Sequence, residues 1–144
     1  MKVPRGFRLL TRLSPFTSLI GPLYVRARAG AELSIGLHIE EKHTNIRGNC
    51  HGGVLASLAD LCLGYAMHHK LGTRGAYVTA NLTVDYAGAA RVGDWVESQV
   101  DIQRIGTRLA FANCYLVVGE RRIVRASGIF ARADRQEARP PAKE

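Results

Sequence analysis

Cysteine is rare in this sequence: Cys50, Cys62 and Cys114 are the only three, an odd number with no CxxC spacing. That excludes the disulfide framework of small secreted domains and points to a reducing compartment, the cytoplasm. Cys62 and Cys114 sit among apolar neighbours and read as small core residues. Long apolar runs are also missing. The richest stretch, Gly52 to Met67, is broken by Ser57 and Asp60, short of the roughly eighteen residues a membrane span needs. There is no Cys/His finger and no aromatic motif of the kind RNA-binding sheets carry, which argues against a nucleic-acid binder. Acidic residues are absent before Glu32. Such an Arg-rich, acid-poor start resembles a transit peptide, but the spacing of Phe7, Leu9, Leu10 and Leu13 fits a short amphipathic helix better.

What is present is an ordinary globular composition. The chain has 144 residues, 47% apolar and 22% charged, enough for one domain with its own core. No repeat or low-complexity linker divides it. We expect a single domain over residues 1–133, with an N-terminal helical segment over 1–21 and a disordered tail over 134–144. Within that first segment, Ser14-Pro15 is a cap and first-residue pair for a turn from Phe16 to Ile20. The net charge of +8 suits a polyanionic partner. The arginines are dispersed rather than gathered in one run, so most belong to a solvated surface.

Periodicity gives the remaining elements. Residues 22–29 alternate apolar and basic, and Gly30-Ala31 turns the chain into a second strand, Glu32 to Glu40. A polar loop from His43 to Cys50 follows. Gly52 to about Lys70 is a helix, apolar nearly all round and so expected to be buried on most sides. Strands then run from Val78 to Tyr86, Trp95 to Arg104, Arg108 to Val118 and Arg121 to Arg132. In the first of these, Val78, Ala80, Leu82, Val84 and Tyr86 share one face, and Thr79, Asn81, Thr83 and Asp85 the other. Gly119-Glu120 is a two-residue hairpin turn. Strands and helix are segregated, which makes the class α+β: an antiparallel sheet of five or six strands around one long buried helix.

Chemistry concentrates between His43 and Asp60. Gly52-Gly53 opens the helix where Ser, Thr or Asp would be the usual cap. Glycine there lets a ligand approach the first amide N–H groups, which carry the positive end of the helix dipole. A tight turn is the plainer explanation for a bare glycine pair. Asp60 lies in mid-helix among leucines, where a carboxylate is costly unless paired or used. The two positions are eight residues apart, about 12 Å along a helix axis. One small reacting group cannot touch both in one chain. If both act together, two chains must pair their helices antiparallel about a twofold axis, giving two equivalent sites per dimer.

The run HTNIRGNCHGGVLASLAD resembles the signature of the PaaI-like (phenylacetate-degradation) branch of the hotdog-fold thioesterases, and VTANLTVDYAGAARVGDWV resembles the strand that follows its helix. The resemblance covers roughly residues 15–132. It implies hydrolysis of acyl-CoA thioesters by a homodimer or homotetramer, with CoA as part of the substrate and neither metal nor cofactor. Asp60 corresponds to the catalytic carboxylate, general base or nucleophile. Gly52 corresponds to the residue whose N–H polarises the thioester carbonyl, Asn45 to the loop amide, and His51 to the histidine beside the leaving thiolate. Thr79 stands where relatives carry a water-orienting Ser or Thr. Gly53, Arg104, Thr107, Arg108 and Arg132 are candidates for holding the CoA part.

Competing uses of the same residues are weaker. Cys50-His51 as a nucleophilic pair lacks an orienting third group, and no HExxH or CxxC frames the histidines for zinc. A hotdog hydratase or dehydratase needs a different His/Asp arrangement. A non-catalytic acyl-CoA binding module has no need of a carboxylate near the thioester. The acyl group is not specified by the sequence.

Overall fold

A computed structural model of the chain describes residues 2–72 and 76–133. Among these residues, seven strands and two α-helices follow one another as β1 (Arg8–Leu9), α1 (Pro15–Ile20), β2 (Leu23–Arg26), β3 (Ser34–His38), α2 (Gly52–Leu71), β4 (Tyr77–Tyr86), β5 (Trp95–Ile105), β6 (Leu109–Val118) and β7 (Arg121–Arg132). All strands join one antiparallel sheet in the order β1-β2-β3-β5-β6-β7-β4. The sheet has seven strands, one or two more than expected, because residues near the N-terminus add β1 to its edge. The expected tail lies outside the described residues.

Helix α2 lies across the inner face of this sheet, in contact with β3 to β7. Leu55, Leu58, Ala59, Cys62, Leu63, Ala66 and Met67 are its buried residues, spaced as one stripe of a 3.6-residue helix. Phe130, Leu116, Ile35 and Leu37 meet that stripe from the sheet side of the core. Truncating Leu58 or Leu63 to alanine there costs about 2–5 kcal/mol. The expectation that α2 is buried on most sides is corrected: Val54, Leu61, Gly64 and Tyr65 are only half-buried. Their apolar surface remains partly open on the face away from the sheet.

The N-terminal segment is the second correction. Residues 7–13 form no helix; Arg8 and Leu9 pair with Val25 and Tyr24 as β1. A turn at Pro4–Phe7, with Gly6 at φ 89°, delivers Phe7 onto the outer sheet face. There its ring meets Trp95 edge-on at 5.0 Å, and the Arg26 guanidinium lies 4.2 Å above it. Arg26 also pairs with Glu97 at 3.0 Å. So short a helix has little stability of its own, and the open edge of β2 with an aromatic partner beyond it wins. The second turn is helical as expected. Ser14 caps α1 by accepting from the Thr17 N–H at 3.2 Å, with Pro15 at the first helical position.

Candidate active site

The loop before α2 is a small closed hairpin. Asn45 N–H donates to the Asn49 carbonyl, Gly48 N–H to the Asn45 carbonyl, and Cys50 N–H to the Ala90 carbonyl. The Asn45 side-chain oxygen accepts from the N–H groups of Arg47 (2.9 Å) and Asn49 (3.3 Å). With that oxygen committed to the loop, any contact of Asn45 with a ligand falls to its NH2, as a donor. His43 anchors the loop from below. Its Nδ1 accepts from the Glu40 N–H and its Nε2 donates to the Ile20 carbonyl, each at 2.8 Å, so its ring is structural rather than a metal ligand. Among the described residues no three His, Cys, Asp or Glu side chains gather where a metal ion would be held.

His51 is the N-cap of α2, its Nδ1 accepting from the Gly53 N–H at 2.9 Å. That occupies the Gly53 amide, so Gly53 offers a ligand no donor. Its lack of a side chain serves the His51 ring, which a Cβ would approach to 3.1 Å. The Gly52 N–H, first amide of the helix, falls outside the helical ladder and points to the positive dipole end. Tyr86, at the end of β4, donates its hydroxyl to the Gly52 carbonyl at 2.8 Å. A Cβ on Gly52 would press to 3.3 Å of that ring. Cys50 is no nucleophile in this setting, since burial pushes its thiol from 9.0 to about 11, leaving almost no thiolate at neutral pH.

Asp60 lies at the other end of this arrangement, two turns along α2. Its carboxylate accepts the Thr79 hydroxyl at 2.7 Å. Thr79 reaches it through a bulge. Thr79 pairs with Phe130 and Asn81 with Ile129, so Ala80 is an extra residue. Strict alternation would have turned Thr79 outward; the bulge turns Tyr77 and Thr79 inward with Leu82, Val84 and Tyr86. Val78, expected on the inner face, is 51% exposed instead. Asp60 and Thr79 stand on the wall of a cavity of about 500 Å³. Its floor is the Leu61, Gly64, Tyr65 and His68 face of α2, with Tyr77 and Phe130 from the sheet on one side. Residues Arg12 to Thr17 close the opposite side, where the Tyr65 hydroxyl donates to the Arg12 carbonyl at 3.0 Å.

The candidate CoA-binding arginines are exposed around the β5–β6 turn. Arg132 pairs with Tyr77, two positions from Thr79, and its N–H donates to the Arg108 carbonyl. Tyr77 donates its hydroxyl to the Gly106 carbonyl at 2.9 Å, next to Thr107. Arg104, Thr107, Arg108 and Arg132 thus lie toward the Asp60 end of the sheet. One chain brings together Asp60 with Thr79, and Asn45 with His51 and Gly52, but holds the two groups apart. Sequence reasoning missed Tyr86, Tyr65, Tyr77 and Gly64. The available signals were a tyrosine at each end of the Tyr77–Tyr86 strand and a glycine in the middle of the helix.

Comparison with known proteins identifies the family and the fold. The family model described as thioesterase superfamily matches residues 47–124, the stretch from the loop through α2 into β7. A Pseudomonas aeruginosa protein carrying an esterase name, PA0474, is 45% identical over 130 residues, 90% of this chain and 97% of its own. Acyl-coenzyme A thioesterase 13 of Mus musculus is 29% identical over 107 residues, 74% of this chain and 75% of that protein. The E. coli PaaI protein of the phenylacetic acid degradation operon shares the fold, with a TM-score of 0.69 at 21% identity over 76% of this chain and 82% of that one. With its single long helix cradled by an antiparallel hotdog sheet, the chain belongs to the thioesterase superfamily.

Proposed function

We propose that the protein hydrolyses acyl-CoA thioesters to the free acid and CoA, at sites shared between two copies of the chain. The observation that carries this reading is the Asp60 carboxylate, held by Thr79 at 2.7 Å on the wall of an apolar-sided cavity. A carboxylate in that setting can take a proton from an attacking water, or attack the thioester carbonyl itself. The carbonyl oxygen needs a donor as charge builds on it. Gly52 of the same chain is about 12 Å away along the helix, so the donor is the Gly52 N–H of a second copy. The leaving thiolate departs beside that copy's His51, and Asn45 offers its NH2 to the carbonyl or the water. Water adds to the acyl carbon, the C–S bond breaks, and the displaced proton ends on the thiol or in solvent.

The open surface of the fold suits such pairing. Val54, Leu61 and Gly64 leave the outer face of α2 partly uncovered. β4 is an end strand of ten residues, bonded only to β7 among the described residues. An exposed edge of that length is a ready template for a second chain. Arg104, Thr107, Arg108 and Arg132 are assigned to the CoA phosphates, and Gly53 to shaping the His51 side. The reaction needs neither metal nor cofactor, and the cytoplasm supplies its substrates. Among the described residues no helix is long and apolar enough to cross a membrane.

Release of free thiol from a panel of acyl-CoAs tests the reading. The wild type should hydrolyse at least one acyl class, and Asp60→Asn should lower kcat by roughly 10²–10⁴-fold while remaining folded. Thr79→Val should cost about tenfold, the loss of one hydrogen bond to a charged group. A wild type that binds acyl-CoA and releases no thiol would instead make this an acyl-CoA binding module.

A further inference from the structure

Gly64 sits one helical turn beyond Asp60, in the middle of α2. Glycine there weakens a helix relative to alanine, so its presence calls for a reason. Close packing within the chain is not that reason: a Cβ at Gly64 would meet nothing within 4 Å. Gly64 instead borders the cavity that Asp60 opens onto. On the proposed hydrolysis reading, we infer that Gly64 sets the size of the acyl group this cavity accepts, with the N-terminal segment as the facing wall.

The dimensions follow from the helix. Asp60, Gly64 and His68 lie on one side of α2 at successive turns, so Gly64 is about 6 Å and His68 about 12 Å along the axis from the carboxylate. A short acyl group with its carbonyl at Asp60 ends before Gly64; a longer one must pass over it. The walls it passes are Leu61, Tyr65, Tyr77 and Phe130, mostly apolar, as an acyl group requires. Leu13 lies on the closing side, within the segment Arg12 to Thr17. Three contacts hold that segment and the following helix: Tyr65 to the Arg12 carbonyl, His43 to the Ile20 carbonyl, and Lys42 to the Gly21 carbonyl. A side wall fixed at several points limits the width of the acyl group rather than yielding to it.

The test compares kcat/KM for propionyl-, octanoyl-, phenylacetyl- and palmitoyl-CoA in the wild type, Gly64→Phe and Leu13→Ala. In parallel, the Kd values of the non-hydrolysable thioethers S-propyl-CoA and S-octyl-CoA are measured by calorimetry. Gly64→Phe should lower the octanoyl-to-propionyl ratio about tenfold or more, with the thioether Kd ratio moving the same way. Leu13→Ala should raise the phenylacetyl-to-octanoyl ratio. Unchanged ratios in both variants would overturn the inference, as would a Gly64→Phe that alters only the oligomeric state. Should the wild type release no thiol while the thioethers still bind with graded, Gly64-dependent affinity, the hydrolysis reading would fail and the acyl pocket would stand.

Discussion

His38 shows how a single side chain can carry a cost that the rest of the molecule tolerates. It is 7% exposed, and neither ring nitrogen finds a hydrogen-bond partner among the described residues. Its ring instead meets Trp95 at 4.7 Å and Tyr24 at 6.3 Å. Burial holds its pKa below the usual 6.5, against weaker opposing pulls from the nearby Lys2 backbone and from Glu40. The folded protein keeps the imidazole neutral while the unfolded chain takes up a proton. Stability is therefore intact above pH about 6.5 and declines as the pH falls below it. Urea unfolding at pH about 7.5 and about 5.5 should show the loss in the wild type and a smaller one in His38→Phe; equal losses would put the acid sensitivity elsewhere. Nothing in the sequence signals this environment, because a histidine in a strand names neither its face nor its neighbours. Asp60 and Gly52 were legible for the opposite reason. A charge amid leucines and glycines at a helix start are both locally unfavourable, and a locally unfavourable residue asks for an explanation. Gly64 was equally unfavourable in principle, but only the structure shows that its missing side chain opens on free volume.

At the level of elements, the strands from Leu23 onward and the long helix were readable from periodicity, since each buries one face or stripe against a shared core. Two of the differences from that reading arise in single strands. Residues 7–13 have helical spacing, but the sheet offered Arg8 and Leu9 an edge and Phe7 a ring to pack against. In β4 the alternation was read as unbroken, and an extra residue at Ala80 reversed it for everything before Asn81. That reversal brings Thr79 to Asp60, so the sequence named the right threonine on a face that regular geometry would have kept away. Helix α1 was legible from Ser14-Pro15, and its cap can be weighed directly. Ser14→Ala removes the acceptor for the Thr17 N–H and the contact between the two hydroxyls at 2.9 Å. It should cost about 1 kcal/mol, read as a lower urea midpoint with an unchanged slope. An unaltered midpoint would mean that Pro15 and the clasp at His43 hold this turn without the cap.

At the scale of the whole molecule, the separation of Asp60 from Gly52 is the central fact. No rotation of side chains closes a gap of about 12 Å along a rigid helix, so the proposed chemistry stands or falls with a second copy. The most direct measurement mixes two inactive variants. Asp60→Asn removes the carboxylate. Gly52→Pro removes one N–H at the first helical position, where proline suits the backbone, and His51 before it already has the extended backbone proline requires (φ −62°, ψ 135°); the proline Cβ needs the Tyr86 ring, 3.3 Å away, to shift by a few tenths of an ångström. Each variant alone should release almost no thiol. After co-refolding, mixed dimers carry one site built from an intact Asp60 and an intact Gly52 on different chains, and thiol release should return to about half the wild-type rate per mixed dimer. If the mixed dimers form and remain as inactive as their parents, Asp60 and Gly52 do not act across a subunit interface, and the shared-site account is wrong.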